Sequence, residues 1–399
     1  MSGRPSVHSP QQSDHEPKGR LLGDVRILFA GTTYVVGGAE RVFAHLVRGF
    51  RDRGYDVELL ALRELGPVGE ELRAEGVVCH SGFTGQQRVD PTLLPRLMRF
   101  LRTHRYEVVY FLDHAHAVFY VTVASIGSGV RVRLMPVHTT GQWGGAASLK
   151  RPIRLVRRHL DRIISIADAQ RQYLVETEGI PDEQIVVIPN GIPIEPRTDA
   201  EIDALRREVH REIAGREDVK VIGITAVLRP EKNHELLLAA FARVRKDVDA
   251  ELWIVGDGPR RSELEARAKE LGVEGSVRFL GLRKDARRLM YGFDVAVLAS
   301  HPLVETLPLA LLEAMDAGAP VVATRVGALA EMVADGESGR LVAPGDEAGM
   351  AEALRSILLD PELAASYSRV GTEIVRSRYS VDEMVTRTET LMQQLLQAH

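Results

Sequence analysis

Short apolar runs alternate along the chain, from residue 24 onward, with longer amphipathic segments. The first half contains the runs VRILFA, DVELLAL, EVVYFL, VRLMPV, RIISIA and IVVIPN. Nearly continuous Val, Ile and Leu runs predict strands that are buried on both faces, and amphipathic segments such as GAERVFAHLVRGFRDRG predict the helices that join parallel strands. The first half is therefore predicted to form a parallel sheet flanked by helices.

The alternation stops in PIEPRTDAEIDALRREVHREIAGRED, where proline and charge indicate a linker with a surface helix, and then restarts. The later runs are KVIGITAVL, AELWIVG, SVRFLG, DVAVLAS and PVVAT. We therefore predict the α/β class, with two doubly wound parallel-sheet domains and a cleft between them. The expected divisions are a disordered tail (1–23), a first domain (24–195), a linker (196–218), a second domain (219–378) and an amphipathic helix (379–399).

Composition narrows the functional classes. A chain of 399 residues is too long for one ordinary core, and a net charge of -4 argues against general nucleic-acid binding. Cys79 is the only cysteine, which excludes an intrachain disulfide and a cysteine-based zinc site and favours a reducing compartment. The first 23 residues have no apolar signal-peptide core, and no apolar run is long enough to span a bilayer. We expect a cytoplasmic protein.

Ligands of doubly wound sheets bind beyond the carboxyl ends of the strands, so the loops there carry the candidate chemistry. After DVAVLAS, Glu305 precedes a helix predicted to begin near Pro308, and Glu313 lies eight positions beyond Glu305. The helix start would offer the N–H groups of Thr306 and Leu307 to a phosphate. Glu305 could then accept hydroxyl hydrogen bonds, and Glu313 those of a ribose. The alternative is that Glu305 caps the helix and Glu313 is a solvated helix residue.

Two further loops have residues suited to an anionic ligand. In LRPEKNH, Arg229 and Lys232 could neutralise a diphosphate, although a solvated charged loop is the alternative. In GTTYVVGGAE, Gly37 and Gly38 leave the backbone bare for the close approach of a ligand, or they form a simple turn.

Histidines and acids follow two strands of the first half, in DHAHA and VHTTG. Asp113, His114, His116 and His138 are metal-ligand types, but their spacing is not that of a zincin, and we predict no metal. His138 is interpreted as a neutral hydrogen-bonding group facing the cleft, with a structural histidine as the alternative. The DVD at 247–249 follows a helical pattern and is interpreted as a solvated turn.

Taken together, these segments resemble the family-4 retaining glycosyltransferases, which have the GT-B fold of two Rossmann-like domains. VIPNGI, LRPEKNHELLLAAF, WIVGDGP, VRFLG, DVAVLAS and ETLPLALLEAMDAGAPVVATRVGALAEMV follow the family pattern in order, and Glu305 and Glu313 form its Glu-x7-Glu signature. GGAE and VHTTG fall where the family has its glycine loop and its cleft histidine.

The resemblance implies roles for the residues around the donor diphosphate. Arg229 and Lys232 would bind the diphosphate with help from the amides of Thr306 and Leu307, and Glu313 would bind the ribose. Many relatives have Gly-Phe-Gly or a similar small residue after the first glutamate, where this chain has Thr-Leu-Pro. The shape around the donor sugar is therefore left open.

The resemblance also implies roles around the transferred sugar and the base. Glu305 would hold sugar hydroxyls, and His138 would contact the sugar near the reacting carbon. Gly37 and Gly38 would border the phosphate and the acceptor, and Leu282, in GLRKD, would border the nucleobase.

The implied reaction transfers a hexosyl or N-acetylhexosaminyl group from a UDP- or GDP-sugar to an acceptor hydroxyl with retention, without a metal or other cofactor. The acceptor could be a glycan, a lipid-linked glycan or a small molecule. The final helix would cross back to the first domain and couple closure of the cleft. Alternatives are a sugar-nucleotide epimerase and a non-catalytic nucleotide-sugar-binding protein. A dinucleotide oxidoreductase is disfavoured, because WIVGDGP lacks the third glycine of the fingerprint and Arg261 holds that position.

A basic amphipathic stretch, SLKRPIRLVRRHLDRII (148–164), could dock peripherally on anionic lipid at the inner face of a membrane. The alternative is a solvated face in an arginine-rich protein.

Overall fold

The computed structural model describes residues 25–84, 90–138, 151–302 and 305–398. Within them the chain forms one seven-stranded and one six-stranded parallel sheet. The strands are β1 (Arg26–Gly31), β2 (Asp56–Ala61), β3 (Val78–His80), β4 (Val108–Phe111), β5 (Val132–Val137), β6 (Arg162–Ser165), β7 (Ile185–Val187), β8 (Lys220–Thr225), β9 (Ala250–Val255), β10 (Val277–Gly281), β11 (Val295–Leu298), β12 (Val321–Thr324) and β13 (Gly339–Val342).

Helices cover both sheets. They are α1 (Gly38–Asp52), α2 (Gly66–Ala74), α3 (Leu93–His104), α4 (Ala115–Ser125), α5 (Arg151–Val156), α6 (Asp168–Glu176), α7 (Asp199–Ile213), α8 (His234–Val244), α9 (Arg261–Glu270), α10 (Ala286–Met290), α11 (Leu309–Asp316), α12 (Leu329–Met332), α13 (Glu347–Leu359), α14 (Pro361–Arg378) and α15 (Val381–Ala398). The predicted surface helix of the linker is α7, which begins in a capping box between Thr198 and Glu201.

The strand order of each sheet turns back at its centre. The first sheet runs β3-β2-β1-β4-β5-β6-β7, and the second runs β10-β9-β8-β11-β12-β13. The order reverses between β1 and β4 and between β8 and β11, which creates the crevices where doubly wound sheets bind ligands. The predicted fold of two doubly wound parallel-sheet domains is confirmed.

The central strands form where they do because both of their faces are buried. Every residue of β9 is buried, and the fully buried Trp253 donates its indole N–H to Glu251 at 2.9 Å. Burial of this kind stabilises the folded domain by roughly 25 cal/mol per Å² of apolar surface removed from water.

The chain crosses between the domains twice, and the two crossings lie against each other. The N–H of Ile192 donates to the carbonyl of Tyr379 at 2.8 Å, and the N–H of Val381 donates to the carbonyl of Ile192 at 2.9 Å. A Cβ on Gly191 would lie 2.2 Å from the carbonyl oxygen of Ser380. Only a residue without a side chain fits at this crossing.

Helix α15 follows the second crossing and packs on the first domain. Its buried apolar side chains belong to the same hydrophobic cluster as Phe29 and Phe43. Arg53 also reaches Asp382 at 2.6 Å, and the hydroxyl of Tyr55 donates to Glu389 at 2.7 Å. The final helix is thus part of the first domain's core. The side chains that it contributes to the cluster are Met384, Val385, Leu391, Met392 and Leu395.

Candidate functional site

Two adjoining cavities lie beyond the carboxyl ends of the strands. One, of about 300 Å³, is between the domains and is lined from the first domain by Gly38, Ala39, His138, Ile166 and Asn190 and from the second by residues 305–309. The other, of about 240 Å³, lies within the second domain and includes Lys232. Because both are bordered by Glu305, Pro308 and Leu309, they form one continuous site at the mouth of α11.

Glu305 is an acid that lines both cavities. Its side chain is 4% exposed, and its Oε1 accepts hydrogen bonds from Lys232 Nζ at 2.6 Å and from the hydroxyl of Ser300. No described residue donates to Oε2. One oxygen is therefore held by the protein, and the other remains available to accept a ligand hydroxyl.

The backbone of Glu305 is fixed as well. Its carbonyl accepts the N–H of Ala328 at 3.2 Å. Gly327, the residue before Ala328, has a φ of 51°, and a Cβ there would lie 1.9 Å from the carbonyl oxygen of Glu305. This glycine therefore allows the loop before α12 to support the loop that carries Glu305.

Lys232 comes from a single 3-10 turn, Pro230–Lys232, that is followed by Asn233 in the left-handed region at a φ of 48°. The carbonyl of Glu231 in this turn accepts the N–H of His301 at 2.9 Å, which ties it to the loop before Glu305. Arg229 differs from Lys232: its side chain is 61% exposed and lies 3.9 Å from Glu231, and it lines neither cavity. The structure therefore brings Lys232 to the site and leaves Arg229 at its edge, where its predicted role stays a prediction.

The start of α11 offers free donors. Pro308 is the residue that caps the helix, and no side chain caps it. Among the described residues, no acceptor pairs with the N–H of Thr306 or Leu307, and both residues line the interdomain cavity. The capping alternative for Glu305 is wrong, because its carboxylate is engaged by Lys232 and Ser300 instead.

Glu313 lies within α11, half-buried, and lines neither cavity. Burial raises the pKa of its carboxyl group, and Asp316 adds to this while Arg287 opposes it. Arg287 itself donates to Asp316 at 2.8 Å and to the carbonyl of Pro193 at 2.5 Å. The predicted contact of Glu313 with a ribose therefore remains untested.

On the first domain, His138 faces the cleft from the end of β5. The backbone N–H of His138 donates to Asp113 Oδ2 at 3.0 Å. The ring Nδ1 of His138 lies 3.6 Å from the same oxygen, and the side chain is 8% exposed. Burial alone would raise the pKa of Asp113, but its hydrogen bonding with His138 holds that pKa below its usual value. Asp113 thereby holds the backbone of His138, whereas the buried Nδ1 of its ring has no hydrogen-bond partner among the described residues, and the predicted contact of His138 with a sugar stays a prediction.

The other histidines of this edge have separate environments. His114 Nδ1 accepts the N–H of Thr32 at 3.1 Å, and His116 is exposed. The described residues spaced to hold a metal ion are instead Glu58, His80 and His104, beside β2 and outside both cavities. Glu58 there already accepts hydrogen bonds from His80, Arg26 and Tyr106.

Of the three remaining predicted residues, one lines the interdomain cavity and two do not. Gly38 lines the interdomain cavity, whereas Gly37 precedes α1 where a Cβ would meet Glu40 Oε2 at 2.3 Å. Leu282, just after β10, is 87% exposed and borders neither cavity.

Sequence reasoning missed Ser300, Gly327 and Asn190 as site residues. Ser300 and Asn190 could have been found, because each is a polar residue that closes an apolar run at the carboxyl end of a strand. Gly327 carries no such signal, since its close approach to Glu305 appears only in the folded chain.

Two family models match the sequence. Residues 36–196 match the one described as Glycosyltransferase Family 4, and residues 219–360 match the one described as Glycosyl transferases group 1. The phosphatidyl-myo-inositol mannosyltransferase of Mycolicibacterium smegmatis is 29% identical over 364 residues, which cover 87% of this chain and 88% of that protein. The N-acetyl-alpha-D-glucosaminyl L-malate synthase of Bacillus anthracis is 31% identical over 189 residues, 47% of this chain and 49% of that one.

Solved structures share the fold. HepE of Anabaena, in complex with UDP and glucose, superposes with a TM-score of 0.76 over 93% of this chain and all of that one, at 23% identity. WaaG, a glycosyltransferase involved in lipopolysaccharide biosynthesis, has a TM-score of 0.63 at 18% identity and covers 90% of this chain and 97% of its own.

Proposed function

We propose, since this chain belongs to the family-4 glycosyltransferases of the GT-B fold, that it transfers a hexosyl or N-acetylhexosaminyl group from a nucleotide-diphosphate sugar to an acceptor hydroxyl with retention. The observation that carries the proposal is the convergence of His138 and Glu305 on one interdomain cavity, next to Lys232. A sugar in that cavity would touch both domains at once.

The donor diphosphate would rest against the N–H groups of Thr306 and Leu307 and the ammonium of Lys232. Lys232 has three donors and gives one to Glu305, so two remain for phosphate oxygens. The positive end of α11 adds to their effect. These groups stabilise the negative charge that develops on the leaving diphosphate, which makes a metal unnecessary in the proposed reaction.

The chemistry breaks the bond between the anomeric carbon and the diphosphate oxygen, and the electron pair leaves with the diphosphate. The acceptor oxygen forms its bond to the same face of that carbon, and its proton passes to the departing phosphate oxygen. His138 and the free Oε2 of Glu305 would hold the sugar while these bonds exchange.

UDP-sugars and GDP-sugars are the donors to test first. HepE binds UDP and glucose, and curated relatives are named for transfer to phosphatidyl-myo-inositol, L-malate and D-inositol 3-phosphate. Acceptors should therefore include small polyols and hydroxy acids beside lipid-linked glycans.

The decisive experiment incubates the protein with each donor and an acceptor panel, with and without EDTA, and detects products by mass spectrometry. Lys232→Ala and Glu305→Ala should abolish transfer, while Lys269→Ala and Glu270→Ala, on the exposed face of α9, should leave it unchanged. Inhibition by EDTA would contradict the metal-independent part. Near-normal rates in both site variants would contradict the assigned roles.

Product analysis separates the alternatives. NMR of the new linkage should show the anomeric configuration of the donor, and inversion would overturn the retaining assignment. Donor binding without transfer or hydrolysis would instead indicate a binding protein, and release of an isomeric sugar nucleotide or its free sugar would indicate an epimerase.

Peripheral contact with lipid is the remaining part of the proposal. No helix among the described residues has the length and apolarity needed to cross a bilayer. On α5, Leu155 is 71% exposed and Arg151 is exposed, while Arg154 bonds to Glu178. Arg157, in the turn after α5, donates to the carbonyl of Gly179. Leu155→Glu should reduce co-sedimentation with anionic vesicles, and equal sedimentation with neutral vesicles would count against this contact.

A further inference from the structure

One carboxylate of the second domain caps a helix of the first. Glu331, on α12, accepts the N–H of Asp168 at 2.9 Å through Oε2 and the N–H of Ala169 at 2.7 Å through Oε1. These two N–H groups open α6, whose own capping residue, Ala167, supplies no side-chain hydrogen bond. We infer that Glu331 is a positioning residue, which sets the angle between the two domains and so brings His138 to face Glu305.

The contact has the chemistry of a strong helix cap. The first N–H groups of a helix have no partner within it, and the partial positive charge there favours an anion. An acid that binds two of them is usually provided by the same segment of chain. Here it comes from a residue more than a hundred positions away, in the other domain, so its energy depends on how the domains are arranged.

Glu331 is also joined to the crossing segments. Its carbonyl accepts the hydroxyl of Tyr379 at 3.1 Å, and the carbonyl of Tyr379 accepts the N–H of Ile192. One residue therefore contacts α6 by its side chain and, by its backbone, the segment that returns the chain to the first domain.

The two helices that this contact joins, α12 and α6, each directly follow residues that support or line the site. Helix α12 follows Ala328, whose N–H holds the carbonyl of Glu305. Helix α6 follows β6 and Ile166, which lines the interdomain cavity beside His138. A change at Glu331 would therefore rotate one wall relative to the other without touching any group that binds the donor.

The distance between the domains can be measured without turnover. Spin labels at Arg99→Cys on α3 and Leu359→Cys on α13, both exposed, in a Cys79→Ser background, report the interdomain distance. Loss of a helix cap shifts an equilibrium by about 5- to 30-fold. Glu331→Ala should therefore broaden or displace the distance distribution. Glu331→Gln, which can still accept one N–H, should lie between that variant and the parent.

Kinetics provide the second readout, which rests on the proposed function. Glu331→Ala should lower kcat by about 5- to 30-fold. The Kd for UDP or GDP should stay within about twofold, because the proposed diphosphate ligands all lie in the second domain. The control is Glu352→Ala, which removes an exposed carboxylate whose partner among the described residues is Arg355, in the same helix, and which should change neither readout.

The outcomes are separable. An unchanged distance distribution in Glu331→Ala overturns the inference, whether or not activity falls, because the residue would then have only a local role. A loss of nucleotide affinity equal to the loss of kcat also overturns it, since the residue would then act on the donor site. A changed distribution in a protein that transfers no sugar supports the positioning role and refutes only the proposed function.

Discussion

Replacing Lys232 with methionine would remove the ammonium that faces Glu305 while keeping most of the apolar side chain. Lys232 Nζ lies 2.6 Å from Glu305 Oε1, and the two side chains are 21% and 4% exposed. Removing one partner of a buried pair typically costs about 3–5 kcal/mol, because the other charge remains desolvated. Lys232 is partly solvated and Ser300 still donates to Glu305, so we expect the low end, about 3 kcal/mol.

A second substitution, at Glu305, removes the carboxylate charge that Lys232→Met leaves without its partner. Glu305→Gln is neutral, has nearly the same shape, and can still accept from Ser300. The Lys232→Met/Glu305→Gln double variant should therefore recover most of the lost stability. The double-mutant cycle should give a coupling energy of about 2 kcal/mol, within the range for residues in direct contact.

Urea unfolding of the second domain is the appropriate assay. The chain has two tryptophans, Trp143 and the buried Trp253, so a Trp143→Phe background leaves Trp253 as the reporter of the second domain. Lys269→Met, on the exposed face of α9, is the matched control and should leave the midpoint unchanged. If Lys232→Met is as stable as its parent, or if the two substitutions simply add, the pair is not the buried contact described above.

Three further predictions concern stability and pH. Burial raises the pKa of Glu313 above 4.5, so its contribution to stability is present below that pH and is lost as the pH rises through the folded-state pKa. Glu313→Gln should therefore raise the Tm at about pH 7 but not at about pH 4, and an equal shift at both would contradict this. Burial, with Lys232 and Arg260 nearby, lowers the pKa of His234 from 6.5 to about 4. The neutral His234 therefore contributes stability above pH 6.5, and this contribution is lost as the pH falls through about 4. His234→Leu should flatten the profile of Tm against pH between these two values. An unchanged profile would exclude His234 as the source of the pH dependence. Gly191→Ala should destabilise the protein by about 1–3 kcal/mol, because its Cβ would overlap the second crossing, and an unchanged urea midpoint would show that the crossings can separate freely.

The central strands were predictable because each is a continuous apolar run, and the fold prediction was confirmed on that basis. The edge strands Val78–His80 and Gly339–Val342 were not predicted, since they have only three and four residues, and no residue of Val78–His80 is fully buried. Propensity gives little signal for a strand that is stabilised mainly by pairing with a longer neighbour.

The position of His138 and of Glu305 beyond the carboxyl end of a strand was also predictable, because each follows an apolar run of its own parallel sheet, and the family resemblance predicted that both would face the cleft. The roles of Ser300, Gly327 and Glu331 were not. Glu331 is one of many acids in the sequence, and its partners on α6 lie 162 and 163 positions away. Such contacts depend on how the two domains meet, which no local pattern encodes.

Helix α15 imposes an order on how the protein can be made. The first domain is synthesised early, yet its apolar core lacks Met384, Val385 and Leu391 until α15 has left the ribosome. The second domain, whose strands and helices are contiguous in the chain, can finish folding before that moment. The apolar face of α1 that α15 covers is therefore exposed throughout translation of the second domain. This face is where chaperones would bind the nascent chain and where a prematurely terminated product would aggregate.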